Sequence, residues 1–173
     1  MTPDITVRAA TRSDAYAICS VIREAFLTDV APLNSAKGTA FFLTVQSVPY
    51  YRRKIGEWKT VYVAEAAGLV VGVIGLHDRN RISPFFVLPD YQRRGVGRRL
   101  LARVLAECRA LHVPSLVVNS SPNAVGAYLR FGFVAAGEEF LSNDVRCVPM
   151  EATVQSLACG CAVAGPGTGE EST

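Results

Sequence analysis

The sequence predicts a single α/β domain with a mixed, mostly antiparallel β-sheet, one central parallel strand pair and flanking helices. Three alternating or apolar stretches, joined by short turns over residues 60–88, predict an antiparallel meander. The third stretch continues through a glycine-bearing loop into an amphipathic helix and a further apolar stretch, which predicts a parallel βαβ unit with a right-handed crossover. At 173 residues, 50% hydrophobic and 19% charged, the chain is long enough for one domain with a substantial core.

The region before the meander is predicted to contain one strand and three helices. The predicted elements are a strand over residues 5–8, a helix from the caps Thr11, Ser13 and Asp14 to about residue 27, and short helices over 40–48 and 50–58. Residues 29–38 carry turn signals, and Pro49 is expected to separate the two short helices. The aromatic side chains of this region are expected mainly in the core.

The meander and the segments after it supply the rest of the predicted sheet. The predicted strands cover residues 60–66, 69–77, 81–88, 115–119, 133–137 and 145–151, with helices between 88 and 115 and over 124–130. The central helix carries an apolar stripe of Leu101, Val104, Leu105, Cys108 and Leu111. Pro149 places the last strand at or near a sheet edge. Residues 1–154 are expected to form the domain, and residues 155–173, rich in Gly, Pro and Ser, a disordered tail.

The loop between the third meander strand and the central helix has the composition of an anion site. Unpaired N–H groups and the helix dipole concentrate positive potential at a helix N-terminus. Gly95 and Gly97 lack a Cβ, so a ligand oxygen can approach their backbone closely. Arg93, Arg94 and Arg98 add guanidinium donors. A diphosphate would fit both the geometry and the charge.

Two well-known phosphate-binding patterns do not match this loop. The phosphate-binding loop of nucleotidases ends in Gly-Lys-Ser/Thr, whereas Gly97 is followed by two arginines. The dinucleotide fingerprint requires a third glycine where Leu100 stands, and an acidic residue where Asn119 ends the next strand. The alternative interpretation is that the loop is a simple turn between a strand and a helix, with incidental arginines, and binds no ligand.

The pattern Gln/Arg-x-x-Gly-x-Gly/Ala is matched at Gln92, Gly95 and Gly97, after Val-x-Pro-x-Tyr. This resembles the pyrophosphate loop of the GNAT superfamily of acyl-coenzyme-A-dependent N-acyltransferases, and the likeness extends over residues 5–151. The resemblance implies acetyl-coenzyme A as cosubstrate, with a bulged central strand whose backbone pairs with the pantetheine arm. The implied coenzyme-binding residues are Val87, Leu88, Gln92, Arg93, Arg94, Gly95, Val96, Gly97, Arg98, Asn119, Asn123 and Tyr128. For Asn123, capping of its own helix is at least as good an interpretation.

Tyr128 is the principal catalytic candidate. It begins a Tyr-x-x-x-Gly-Phe segment, and the resemblance implies that this tyrosine approaches the thioester sulfur. Aminolysis of a thioester expels a thiolate, and a thiol has a pKa of about 8.5 while a phenol has one of about 10. A phenol can therefore hydrogen-bond to the leaving sulfur or protonate it at neutral pH. The alternative is that Tyr128 only packs its ring on the sheet.

The general base is not evident from the sequence. Some members of the superfamily place Glu or His four or six residues before the valine that corresponds to Val87, where this chain has Ser83 and Arg81. His77, at the end of an apolar strand, is the first candidate for the catalytic general base, and it could equally have a structural role. The other candidates are Asp78, Glu65, Glu138, Glu139 and Asp144.

Composition limits the partners. A net charge of +3 and arginines without interleaved aromatic residues argue against nucleic acid, and no apolar run approaches the ~18 residues of a membrane span. With no signal segment and no Cys-x-x-Cys, we expect a cytoplasmic protein without metal; the Cys159–Cys161 pair lacks further ligands. The last strands could pair across a homodimer.

The predicted function is transfer of an acetyl group from acetyl-coenzyme A, by direct attack, to a primary amine of a small molecule or peptide. The alternative is a non-catalytic acyl-coenzyme-A-binding or sensor domain.

Overall fold

The computed structural model describes residues 4–57 and 60–157, which form one eight-stranded sheet with helices on both faces. The strands are β1 Ile5–Ala9, β2 Thr60–Ala66, β3 Leu69–His77, β4 Arg81–Val87, β5 Ser115–Ser120, β6 Val134–Ala135, β7 Phe140–Ser142 and β8 Val145–Thr153. Their order is β1-β2-β3-β4-β5-β8-β6, with β7 also paired to β8. Neighbours are antiparallel except β4 and β5, which are parallel. The predicted fold class is confirmed.

The helices are α1 Ala15–Ala25, α2 Ala36–Val45, α3 Val48–Lys54, α4 Val96–Ala110 and α5 Val125–Phe131. A π-helical turn, Phe26–Val30, extends α1 into the segment predicted to be turns. α2 begins four residues before the predicted start because the Ser35 hydroxyl caps it by accepting a 3.0 Å hydrogen bond from the Gly38 N–H. Pro49 does not separate the two helices; it lies in the first turn of α3, where a missing N–H is harmless.

The last strand, β8, is predicted at or near an edge, and it lies next to the edge strand β6 in the sheet. β5 pairs with one side of it, and β7 and β6 pair with successive parts of the other side. Pro149 falls where the partner changes from β7 to β6, so its missing N–H interrupts no ladder. Its carbonyl still accepts a 2.8 Å hydrogen bond from the Ala136 N–H. The prediction of a position near a sheet edge is thus confirmed, and the proline lies in the gap between two ladders of this strand.

Two apolar clusters cover the two faces of the sheet. α4 packs into one cluster and α1 and α3 into the other. The predicted stripe of α4 is buried except for Leu111, which is 62% exposed because the helix ends at Ala110. Leu157 is fully buried in the α4 cluster, and its carbonyl accepts a 3.2 Å hydrogen bond from Arg109. The chain is thus packed up to residue 157, and the rest of the predicted tail lies outside the described residues, as does Trp58.

None of the helices within residues 4–57 and 60–157 is long and apolar enough to cross a membrane.

Candidate active site

The site begins where the two parallel strands part. The register between β4 and β5 contains one pair, Arg81 with Val117, and beyond it the strands diverge. On the other side of β4, Gly75 of β3 faces the two residues Ser83 and Pro84, which form a bulge. A Cβ on Gly75 would lie 2.6 Å from the Ser83 carbonyl oxygen, so the bulge requires glycine there. The parted strands leave a gap that opens toward their carboxyl ends.

A cavity of about 780 Å³ occupies the first side of this gap. Its walls come from the end of α1, the second half of β4, the glycine loop, the first turn of α4, and α5. Among the residues predicted to bind the coenzyme, its lining includes Val87, Gln92, Arg93, Gly95, Gly97, Arg98, Asn123 and Tyr128. Leu88, Arg94 and Val96 are absent from that lining, and Asn119 lines a neighbouring cavity.

The glycine loop adopts the conformation that exposes a helix N-terminus. Gly95 has φ +80° and immediately precedes α4, and a Cβ built on it would meet nothing within 4 Å. Gly97 lies in the first turn, and its added Cβ would be 3.6 Å from the Phe85 ring and 3.7 Å from the Phe131 ring. Gly95 and Gly97 both line the first cavity, so the N-terminus of α4 lies at its wall.

Three guanidinium groups contribute to the first cavity. Arg93 and Arg98 line it as expected, and Arg130 of α5 joins them from the opposite wall. The guanidinium of Arg94 lies 5.6 Å from the centre of the Tyr91 ring instead. Sequence reasoning missed Arg130, although it belongs to the same Tyr-x-x-x-Gly-Phe segment as Tyr128.

Gln92 connects the glycine loop to two other elements. Its amide nitrogen donates a 3.0 Å hydrogen bond to the Val87 carbonyl and a 2.6 Å hydrogen bond to the Asp29 carboxylate. Both backbone polar groups of Leu88 are already engaged: its N–H donates to Val71 at 2.9 Å, and its carbonyl accepts from Tyr91 at 2.9 Å. The backbone edge left beside the gap is that of the β4 residues before Leu88.

A second cavity, of about 270 Å³, lies on the other side of the gap. The residues that line both cavities are Val30, Phe85, Phe86, Ser121, Ala124 and Tyr128. Asn119, at the end of β5, lines the second cavity, whereas Asn123 lines the first. α5 has Ala124 as N-cap without a side-chain cap bond, so Asn123 does not cap it. The two cavities meet at Tyr128.

Tyr128 is held firmly and its hydroxyl is left for a ligand. The residue is 7% exposed, and its ring makes edge contacts with Phe85 and Phe133 at centroid distances of 6.1 and 5.4 Å. The described part of the chain provides no hydrogen-bond partner for the hydroxyl. Burial raises the pKa of Tyr128 well above the usual 10, because the phenolate would lose its hydration. The phenol is therefore a neutral hydrogen-bond donor at any physiological pH.

His77 is not brought together with Tyr128. It lies opposite Arg81, at the end of β4 remote from Val87, with its Nδ1 2.6 Å from the Asp78 carboxylate, and it lines neither cavity. Three of the other acidic candidates form ion pairs: Glu65 with Arg8, Asp144 with Lys37, and Glu139 with Arg146, which lines the second cavity. Asp29, which the sequence did not single out, is the carboxylate that lines the first cavity.

The described residues contain no group of three or more His, Cys, Asp or Glu side chains that could hold a metal ion.

Comparison with known families now identifies the class. A family model for the acetyltransferase (GNAT) domain matches residues 30–154. The protein belongs to the GNAT acetyltransferase family. No curated protein sequence matches the chain.

Solved structures show the same fold. A GCN5-related N-acetyltransferase from Rhodopseudomonas palustris superposes with a TM-score of 0.74 at 19% identity, covering 88% of this chain and 96% of that one. The PaiA N-acetyltransferase of Thermoplasma acidophilum, in complex with coenzyme A, gives 0.73 at 16%, covering 87% and 99%. YncA of Salmonella typhimurium, a putative acetyltransferase with its cofactor acetyl-coenzyme A, gives 0.62 at 23%, covering 87% and 94%.

Proposed function

We propose that the protein is an N-acetyltransferase that moves an acetyl group from acetyl-coenzyme A to a primary amine of a small molecule or peptide. The observation that carries the proposal is the buried phenol of Tyr128 at the junction of two cavities. The larger cavity would hold the donor and the smaller one the acceptor. The thioester would then lie at the junction, within reach of both the amine and the phenol.

The larger cavity suits a coenzyme that carries a diphosphate on a long arm. The first turn of α4 and the guanidinium groups of Arg93, Arg98 and Arg130 would hold the diphosphate. The parted edge of β4 would pair with the amides of the pantetheine arm as a further strand would. The coenzyme complexes of the Thermoplasma and Salmonella proteins support this assignment.

The chemistry requires one bond to form and one to break. The amine lone pair attacks the thioester carbonyl, the carbon–sulfur bond breaks, the nitrogen releases one proton to solvent, and the thiolate that leaves takes one up. Tyr128 would donate a hydrogen bond or that proton. Direct attack is favoured because Cys147, the cysteine lining the smaller cavity, has its pKa raised by burial, so its thiol stays protonated and is a poor nucleophile.

The test is a panel of primary amines incubated with acetyl-coenzyme A, with release of free thiol followed over time. We expect release that depends on the amine and saturates with it. A parallel thermal shift with coenzyme A should show stabilisation, about 2.7 kcal/mol at a hundredfold excess over Kd. Stabilisation without any amine-dependent release would favour the non-catalytic sensor, and absence of both effects would refute acyl-coenzyme-A binding altogether.

A further inference from the structure

Resting on that proposed function, we propose that the acceptor is an apolar or aromatic amine with a single positive charge, bound in the smaller cavity. Polyamines and other polycations would then be poor substrates. The lining is dominated by apolar side chains, which are Phe26, Val30, Phe41, Phe42, Ile82, Pro84, Phe85, Phe86, Val118, Ala124 and Val145. Such a surface stabilises an apolar body by contact and by exclusion of water.

An aromatic wall gives the cavity its shape. Phe26 and Phe42 are stacked with ring centroids 3.9 Å apart, and Phe42 tilts against Phe86 at 5.9 Å. These rings come from the π-turn after α1, from α2 and from β4, so three elements fix one surface. An alkyl chain or a ring of the acceptor would lie against it while the amine points to Tyr128.

α2 and the β7–β8 turn, which both contribute to the lining of the cavity, are in close contact with each other. A Cβ on Gly38 would lie 2.2 Å from the Asp144 carbonyl oxygen, so the two backbones touch. Asn34 joins the same parts, donating to the Val30 carbonyl at 2.8 Å and accepting from the Arg146 N–H at 2.7 Å. The acceptor would therefore meet two elements that are fixed against each other along this side of the cavity.

The charges of the cavity exclude a second ammonium group. The residues that line it include no Asp, Glu or His. Its cationic side chain, Arg146, is already paired with Glu139 through hydrogen bonds of 2.6 and 3.1 Å. A second ammonium group of the acceptor would be desolvated without a counter-ion, which is strongly unfavourable.

The same environment would help supply the nucleophile. Desolvation without a neighbouring carboxylate lowers the pKa of an amine, so the neutral form of the acceptor is favoured in the cavity. Ser83 and Pro84 border this space, and neither can accept the ammonium proton as a base of suitable pKa. We expect kcat/KM to rise with pH until the free amine is deprotonated.

The experiment compares hexylamine with 1,6-diaminohexane. The diamine carries a second ammonium group at the end where hexylamine has a methyl group. Thiol release should give a kcat/KM for hexylamine at least about 100-fold higher, from the penalty of an unpaired buried charge. Phe41→Glu adds a carboxylate at the rim, where Phe41 is 44% exposed, and should narrow that ratio at least about tenfold. The uncharged Phe41→Gln should not narrow it, and Val45→Glu, on the same helix but outside both cavities, should leave both substrates unchanged.

Equal or faster acetylation of the diamine by the wild-type protein would overturn the inference while leaving the proposed function intact. Coenzyme binding without thiol release from any amine of the panel would refute the proposed function itself, whereas release from other amines but from neither of these two would overturn the inference alone. If Phe41→Glu does not fold, as judged by its thermal transition, the wild-type ratio alone decides.

Discussion

Tyr128→Phe is the sharpest perturbation of the proposed mechanism, because it removes one oxygen and keeps the ring. The ring is 7% exposed and is held by Phe85, Phe131 and Phe133, contacts that phenylalanine reproduces. The hydroxyl has no hydrogen-bond partner among the described residues, so its loss should change the free energy of unfolding by less than about 1 kcal/mol. Packing and catalysis can therefore be separated in this variant.

The expected effect is on turnover. If the phenol protonates the departing thiolate, kcat should fall by about 10²–10⁴-fold, equivalent to roughly 3–5 kcal/mol of transition-state stabilisation. The Kd of coenzyme A should change by less than about threefold, since the interaction strengthens only as charge develops on sulfur. Because burial raises the pKa of Tyr128 well above 10, wild-type kcat should show no alkaline decline up to that pH.

The assay is thiol release at saturating amine, with melting temperature and coenzyme affinity measured on the same samples. A variant that keeps most of its turnover while folding normally would refute the role of the phenol as proton donor, and solvent would then be the donor. A normal fold, normal binding and a hundredfold slower reaction would support it.

Three further predictions test the anion site, the N-terminal ion pair and the end of the domain. Gly97→Asp should abolish the thermal shift by coenzyme A through charge repulsion at the helix N-terminus, whereas Gly97→Ala, whose Cβ has room at 3.6 Å, should fold normally and lose less affinity. The Arg8 guanidinium lowers the pKa of Asp14 from 3.8 to about 2, so stability present above pH 3.8 should be lost as the pH falls toward 2. That loss should be about 2 kcal/mol by urea unfolding, and a matched Asp14→Asn variant that still showed it would contradict the assignment. Truncation after Leu157 should leave the melting temperature unchanged. Truncation after Gln155 removes the fully buried Leu157 and should lower the free energy of unfolding by about 2–5 kcal/mol. Equal melting temperatures of the two truncated proteins would show that Leu157 does not stabilise the domain.

Much of the fold could be read from local patterns. β2 and β3 have the predicted bounds because alternation and the Ala67–Gly68 turn specify both strands and their register. β7 was missed, since three residues of an exposed hairpin carry no periodic signal. The change of partner along β8, from β7 to β6, was not predicted, because it depends on which segments meet in the folded chain.

In the candidate site, too, the features set by local sequence could be predicted and those set by contacts between distant residues could not. Gln92, Arg93, Gly95 and Gly97 could be predicted because the glycine loop is a local feature, and they are among the eight predicted residues that line the first cavity. Asp29 could not be found, because its contact with Gln92 joins residues 63 apart in sequence. The engagement of both Leu88 backbone groups depends on a bulge and a 3₁₀ turn that composition does not reveal.

The single ladder pair between Arg81 and Val117 has a mechanical consequence. Beyond that pair, the sheet consists of two halves, β1 to β4 and β5 with β6 to β8, that lack mutual backbone bonds at the site. A ligand bound between the two halves would connect them through hydrogen bonds made by its own amide groups. We therefore expect amide hydrogen exchange to slow on both sides of the gap, at the ends of β4 and β5, when coenzyme A binds. The protein would complete its sheet only while it holds the molecule on which it acts.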